Sequence, residues 1–158
     1  GAIGSVSIIT DGSAPSPSPT PSPSPATINL TGIAGTTGLG SVTVTGASSV
    51  TNYTVTVASY LGANYFYIDG SRAATLNFTE GQTYKFDQSD NTNNNHPLRI
   101  STTSNGTHSG GSEYTTGVTT SGTPGSSGAY TQIEVAVGAP TLYYYCTNHS
   151  GMGGQINT

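Results

Sequence analysis

LYYYCTNHSGMGG, residues 142–154, joins a strand to a glycine-rich turn near the end of the chain. Alternation along an extended segment puts Leu142, Tyr144 and Cys146 on the inner side. Tyr143 and Tyr145 then look outward or toward a neighbouring subunit. Gly151, Gly153 and Gly154 end the run, as turn residues do. Between Cys146 and Met152 the chain places its only cysteine, its only methionine and one of its three histidines. That concentration is unusual in a sequence otherwise poor in soft donors.

The spacing is C-x2-H-x2-M, formed by Cys146, His149 and Met152. A thiolate, an imidazole and a thioether in one loop make a mixed nitrogen and sulfur set. Copper takes two His nitrogens and one Cys sulfur in a plane, with a weak axial Met. The second histidine has to come from elsewhere in the chain. His96, in NNNHPLRI, stands at the start of another strand and can reach the same pole of a sandwich. Zinc is the main rival metal, but Met serves it poorly. A dinuclear copper centre or a C-x-x-C-H haem site needs a second Cys, and there is none. The competing structural reading is a buried inert Cys, a turn histidine and a core methionine.

Outward from this loop the chain reads as strands. NYTVTVAS (52–59) alternates like a half-buried strand, and NYFYIDG (64–70) ends in the turn pair Asp69-Gly70. AATLNFTEGQTYKFDQ (73–88) reads as two strands joined at Glu80-Gly81. Leu76 and Phe78 share one side of the first, Tyr84 and Phe86 one side of the second. HPLRIST, AYTQIEVAV, PTLYYYC and MGGQINT supply further strands. SNGTHSGGSEYTTGVTTSGTPGSSG (104–128) is a long loop rich in turn residues. No helix is expected. Short strands separated by turns predict an all-β, Greek-key sandwich over residues 52–158.

The preceding residues have a different texture. SAPSPSPTPSPSPA (13–26) cannot donate a sheet ladder and favours an extended polyproline conformation, so it is a semi-rigid linker. GAIGSVSIIT (1–10) and TGLGSVTVTG (37–46) share a Gly-Ser-Val-(Ser/Thr)-(Ile/Val) core on either side of it. Residues 1–12 therefore read as the end of a β-repeat unit and 27–51 as another, of the kind that stacks in a fibre or stalk.

Charge is scarce. Three cations, Arg72, Lys85 and Arg99, face seven acids for a net charge of −4. No clustered basic surface for nucleic acid can be built from them. No apolar run reaches bilayer length. Asp90 and Glu113 read as surface carboxylates, and His108 as a solvent-exposed residue of the long loop. No paired acids or Ser-His-Asp arrangement points to hydrolysis. Sequons at Asn29, Asn52, Asn77, Asn105 and Asn148 arise readily by chance in so Ser/Thr-rich a chain, and glycosylation is not the expectation.

Over residues 52–158 the Cys146–Met152 loop, with His96 upstream, resembles the copper loop of cupredoxins, the small blue-copper proteins. Its spacing is most similar to the amicyanin type. The resemblance implies a cupredoxin-like sandwich holding one type 1 copper ion through His96, Cys146, His149 and Met152. His149 would then be the port for electrons. Many cupredoxins have Asn after the first histidine, and its hydrogen bond braces the copper loop. Here Pro97 stands in that place, so Asn95 or Thr147 is the candidate substitute.

The repeat units followed by such a module are also similar to regions of virion structural proteins of marine phages that infect cyanobacteria. That resemblance implies a fibre or decoration protein at a virion surface or otherwise outside cells. It would be a homo-oligomer or a partner of other virion or filament subunits. An axial Met and no second metal site would leave nowhere for a substrate to bind, so no enzymatic activity is expected, and the charge and hydropathy above lead to no expectation of a nucleic-acid partner or membrane insertion. The alternatives are a soluble blue-copper electron carrier and a surface filament subunit with a vestigial copper site.

Overall fold

The computed structural model describes residues 49–158. The first repeat segment, the Pro/Ser-rich linker and nearly all of the second repeat segment lie outside the described residues. Ten strands follow. They are β1 (Val50–Tyr60), β2 (Ala63–Ile68), β3 (Ser71–Arg72), β4 (Leu76–Asn77), β5 (Thr83–Asp87), β6 (Leu98–Ser101), β7 (Val118–Ser121), β8 (Tyr130–Glu134), β9 (Leu142–Cys146) and β10 (Gly154–Asn157). The helical content of the described residues is two short 3-10 turns, Asn91–Asn93 and Gly106–Ser109.

The strands form an all-β sandwich, as the alternation requires. One sheet has the order β3-β2-β1-β5-β8-β7 and the other β4-β10-β9-β6. Period-two patterning turns one face of each sheet inward. Tyr53, Val55, Phe66, Ile68, Tyr84, Phe86 and Ile133 come from the first sheet; Leu76, Leu98, Ile100, Leu142, Tyr144 and Ile156 meet them from the second. The chain has no Trp, and rings fill the middle. Phe78 stacks on Tyr84 with centroids 3.7 Å apart, and Tyr144 tilts against Phe86 at 5.8 Å. Such pairs add about 0.5–1.5 kcal/mol each beyond the area they bury.

The two strands joined at Glu80-Gly81 are present and belong to different sheets. β4 pairs with β10 and β5 with β1 and β8, so the chain crosses between sheets there. The long loop is not all loop, because Val118–Ser121 pairs with β8 as an edge strand. The first strand starts at Val50, two residues ahead of the boundary read from sequence.

The topology gives the sandwich two unlike poles. Val50 pairs with Thr83 where the described chain enters, and Thr83 in turn pairs with Glu134. Thr158 lies there too, its hydroxyl bonded to the carbonyls of Ala139 and Pro140. At the far ends of these strands the chain leaves β5, enters β6 and leaves β9. That opposite pole carries the loop 146–152.

Candidate metal centre

The register of two strands places the first donors. β6 and β9 pair antiparallel with Leu98 opposite Cys146, so the residues just before Leu98 lie beside the loop that follows Cys146. His96 is one of them. Its Nδ1 is 3.8 Å from Cys146 Sγ, and His149 Nδ1 approaches the same sulfur to 3.7 Å. The two imidazole rings lie with centroids 4.6 Å apart. One donor atom from each of His96, Cys146 and His149 lies within 4.8 Å of the others, so this group could hold a metal ion. Cys146 is fully buried, His96 is buried and His149 is exposed.

Met152 is also brought to this pole. It is buried within the core at the foot of the loop, and its carbonyl accepts the Phe66 N–H at 2.9 Å. It shares the wall of a shallow cleft with His149, opposite the β1–β2 turn at Gly62 and Ala63. All four residues singled out in the sequence therefore lie at one end of the sandwich.

Burial sets the protonation of His96 and Cys146. Desolvation holds the His96 imidazole below its usual range, and the neighbouring His149 pushes the same way. His96 therefore favours the neutral form a metal requires. Burial pushes the Cys146 thiol up, while the backbone N–H groups of Asn148 and His149 pull it down. A cation arriving beside the sulfur stabilises the thiolate directly, so binding would release a proton.

The His96 segment hangs on two buried amides that the sequence reading passed over. Gln88 Nε2 donates to the His96 carbonyl at 2.8 Å and to Asn93 Oδ1 at 3.2 Å, while its Oε1 accepts the Leu98 N–H at 3.0 Å. Asn93 Nδ2 donates to the Val55 carbonyl at 2.7 Å and to that of Asp90 at 3.1 Å. Asp90 is exposed, but it also caps the turn 91–93 by accepting from the Thr92 N–H. That bond and the one from the Thr92 hydroxyl, the larger influence, hold its carboxyl below the usual range.

Both residues named as candidate braces contribute, through their backbones. The Asn95 carbonyl accepts from Asn148 Nδ2 at 3.0 Å, and the Thr147 N–H donates to the Pro97 carbonyl at 3.1 Å. The segments that carry His96 and Cys146 are thus tied to each other by two hydrogen bonds. Asn95 takes the left-handed conformation, with φ of 62°, which Asn tolerates better than most residues.

Two sequence expectations change here. Tyr145 does point away from the sandwich core, yet it is only 1% exposed. The turn 106–109 lies over its ring. A Cβ on Gly106 would come within 2.6 Å of that ring, and His108 meets it edge-on at 6.4 Å. The buried Tyr145 hydroxyl sits beside Thr107 without a well-formed hydrogen bond. His108 is exposed, as expected, but it is not idle: its Nε2 lies 2.9 Å from the Cys146 carbonyl oxygen. Glu113 is a surface carboxylate paired with Arg99 at 3.3 Å.

No protein-family model, curated protein or solved structure matches this chain. Its functional reading rests on the chemistry of the pole itself.

Proposed function

We propose that this chain is a structural surface protein, a virion fibre or decoration subunit, whose sandwich domain binds one mononuclear copper ion. The observation that carries the metal reading is the closure of His96 and His149 on the buried Cys146 sulfur, at 3.8 and 3.7 Å. Two His nitrogens and a Cys sulfur, with a Met thioether near them, are the donor types copper prefers.

In this reading His96, Cys146 and His149 would hold the ion, with Met152 as a further, weaker donor. Copper would supply one-electron chemistry, cycling between Cu(I) and Cu(II). The chain's own part is to hold the donors still and to keep water from the sulfur. Cys146 and Met152 are sealed in the core, while His149 offers a ring edge to solvent.

The structural half of the proposal draws on sequence and topology together. The repeat units and Pro/Ser-rich linker precede the sandwich in the chain. The described chain enters at the pole opposite the metal cluster, so a stalk made of those segments would present the cluster at its far end. Scarce charge and a Gly/Ser/Thr-rich composition suit a surface repeated many times on a particle. Partners would be other subunits of the same assembly, at a virion surface or elsewhere outside cells.

A second reading, a soluble blue-copper electron carrier, is favoured by the exposure of His149 alone. Titration of the metal-free chain with Cu(II) tests the metal assignment. One equivalent should give an intense blue thiolate-to-copper band that Cys146→Ser abolishes. A colourless Cu(II) form, or equal colour in the Ser variant, contradicts it. Retention of the chain in purified particles, absent from a soluble fraction, separates the structural reading from the carrier.

A further inference from the structure

We infer that the turn 105–108, carried by the long loop, is the clamp that positions the metal loop, with His108 and Asn105 as its positioning residues. The inference rests on the copper reading above but concerns side chains outside the donor set.

The clamp grips the loop at both ends. At the start, His108 Nε2 lies 2.9 Å from the Cys146 carbonyl oxygen. A carbonyl can only accept, so Nε2 carries the proton and donates. The other side of that peptide unit is also held, because the Thr147 N–H donates to the Pro97 carbonyl at 3.1 Å. The Cys146–Thr147 peptide plane is therefore pinned from both sides: by the segment that carries His96 and by the turn that carries His108. A peptide plane that cannot rotate fixes the direction in which the Cys146 side chain leaves the backbone.

At the far end, Asn105 Oδ1 accepts the Gly151 N–H at 2.8 Å. Gly151 has φ of 77° and open space around it, so without that bond little would hold the turn between His149 and Met152.

The clamp is itself built to be stiff. Asn105 sits at φ of 62°, Gly106 packs on the Tyr145 ring, and His108 meets the same ring edge-on. Tyr145 is the residue next to Cys146, so ring and ligand belong to one strand end. Partners of this kind orient ligands, and their loss typically costs about tenfold to a hundredfold in metal affinity.

The test compares wild type with His108→Ala, His108→Gln, Asn105→Gly and Asn105→Asp. Gln retains an N–H donor and Asp retains an acceptor. In the metal-free chain, amide exchange should quicken at Thr147 in His108→Ala and at Gly151 in Asn105→Gly. It should return toward wild type in the Gln and Asp variants. With Cu(II), His108→Ala should bind about tenfold to a hundredfold more weakly, with its thiolate band shifted or weakened, and His108→Gln should recover most of both.

Wild-type exchange at Thr147 together with wild-type affinity and band in His108→Ala overturns the clamp. If wild type itself shows no thiolate band, the copper reading falls, and the exchange rates still decide whether the clamp exists. Faster exchange that neither Gln nor Asp restores would mean general loosening of the loop and would also overturn it.

Discussion

Replacing Gln88 by Leu should show how much of the metal pole depends on one buried amide. The side chain is 1% exposed and has no apolar role that Leu could not fill. What Leu cannot do is meet the Leu98 N–H, the His96 carbonyl and Asn93 Oδ1, which Gln88 satisfies at 3.0, 2.8 and 3.2 Å. Each buried group left unpaired costs about 1–3 kcal/mol. Midpoints give about 6 kcal/mol for the three, and burying the apolar Leu side chain returns about 2 kcal/mol. The expected net loss is about 4 kcal/mol, a large part of the ~5–15 kcal/mol that holds an ordinary domain together. Urea denaturation of the metal-free chain measures it. With a slope of about 2 kcal/mol per molar urea, the midpoint should fall by roughly 2 M at unchanged slope. Copper affinity should fall with it, because the His96 segment loses its anchor. A midpoint shift below roughly 0.5 M would refute the claim that this network holds the segment in place.

Other outcomes follow from neighbouring features. Gly153→Ala should fail to fold or lose most of its stability, because its Cβ would collide with the Tyr144 carbonyl. Gly151→Ala has open space and should cost only the strain of φ at 77°, about 1 kcal/mol; similar melting temperatures for the two would contradict the packing described. Burial, then the charges of Tyr84 and Asp69, push the Tyr53 hydroxyl from 10.0 up to about 12. The folded state thus keeps that proton while the unfolded chain loses it. This stability is whole below pH 10 and drains away as pH rises toward 12. Tyr53→Phe should flatten that alkaline slope in a pH series of urea midpoints, and an unchanged slope would assign it elsewhere. Copper at about a thousand times its dissociation constant should add about 4 kcal/mol. Equal melting temperatures with and without copper would mark the site as vestigial.

Much of this structure is legible in the sequence because burial imprints a period on it. Tyr53, Val55, Tyr84, Phe86, Leu142 and Tyr144 fall on alternate positions, and all are buried as that pattern demands. The donor set is legible for another reason. Cys, His and Met are rare here, so their nearness in the chain stands out.

What stayed hidden has no such imprint. β7 is an edge strand with only Val118 half-buried, so its Thr and Ser look like loop. Tyr145 faces away from the core and is covered by a turn some forty residues earlier in the chain, a contact that no strand periodicity encodes. Gln88 and Asn93 are lost in a run of Asn, Asp, Gln and Ser that reads as solvent-exposed. His108 works through a backbone carbonyl, and a backbone acceptor leaves no partner residue to recognise. The crossover after β4 leaves no mark in sequence, because Glu80-Gly81 is good turn chemistry whichever sheet the next strand joins.

Copper-edge anomalous diffraction from crystals of the loaded protein tests the central claim most directly. The account predicts one strong peak bonded to His96 Nδ1, Cys146 Sγ and His149 Nδ1, with Met152 on one side of that plane. A peak elsewhere, or one that leaves the Cys146 sulfur unbound, would contradict it.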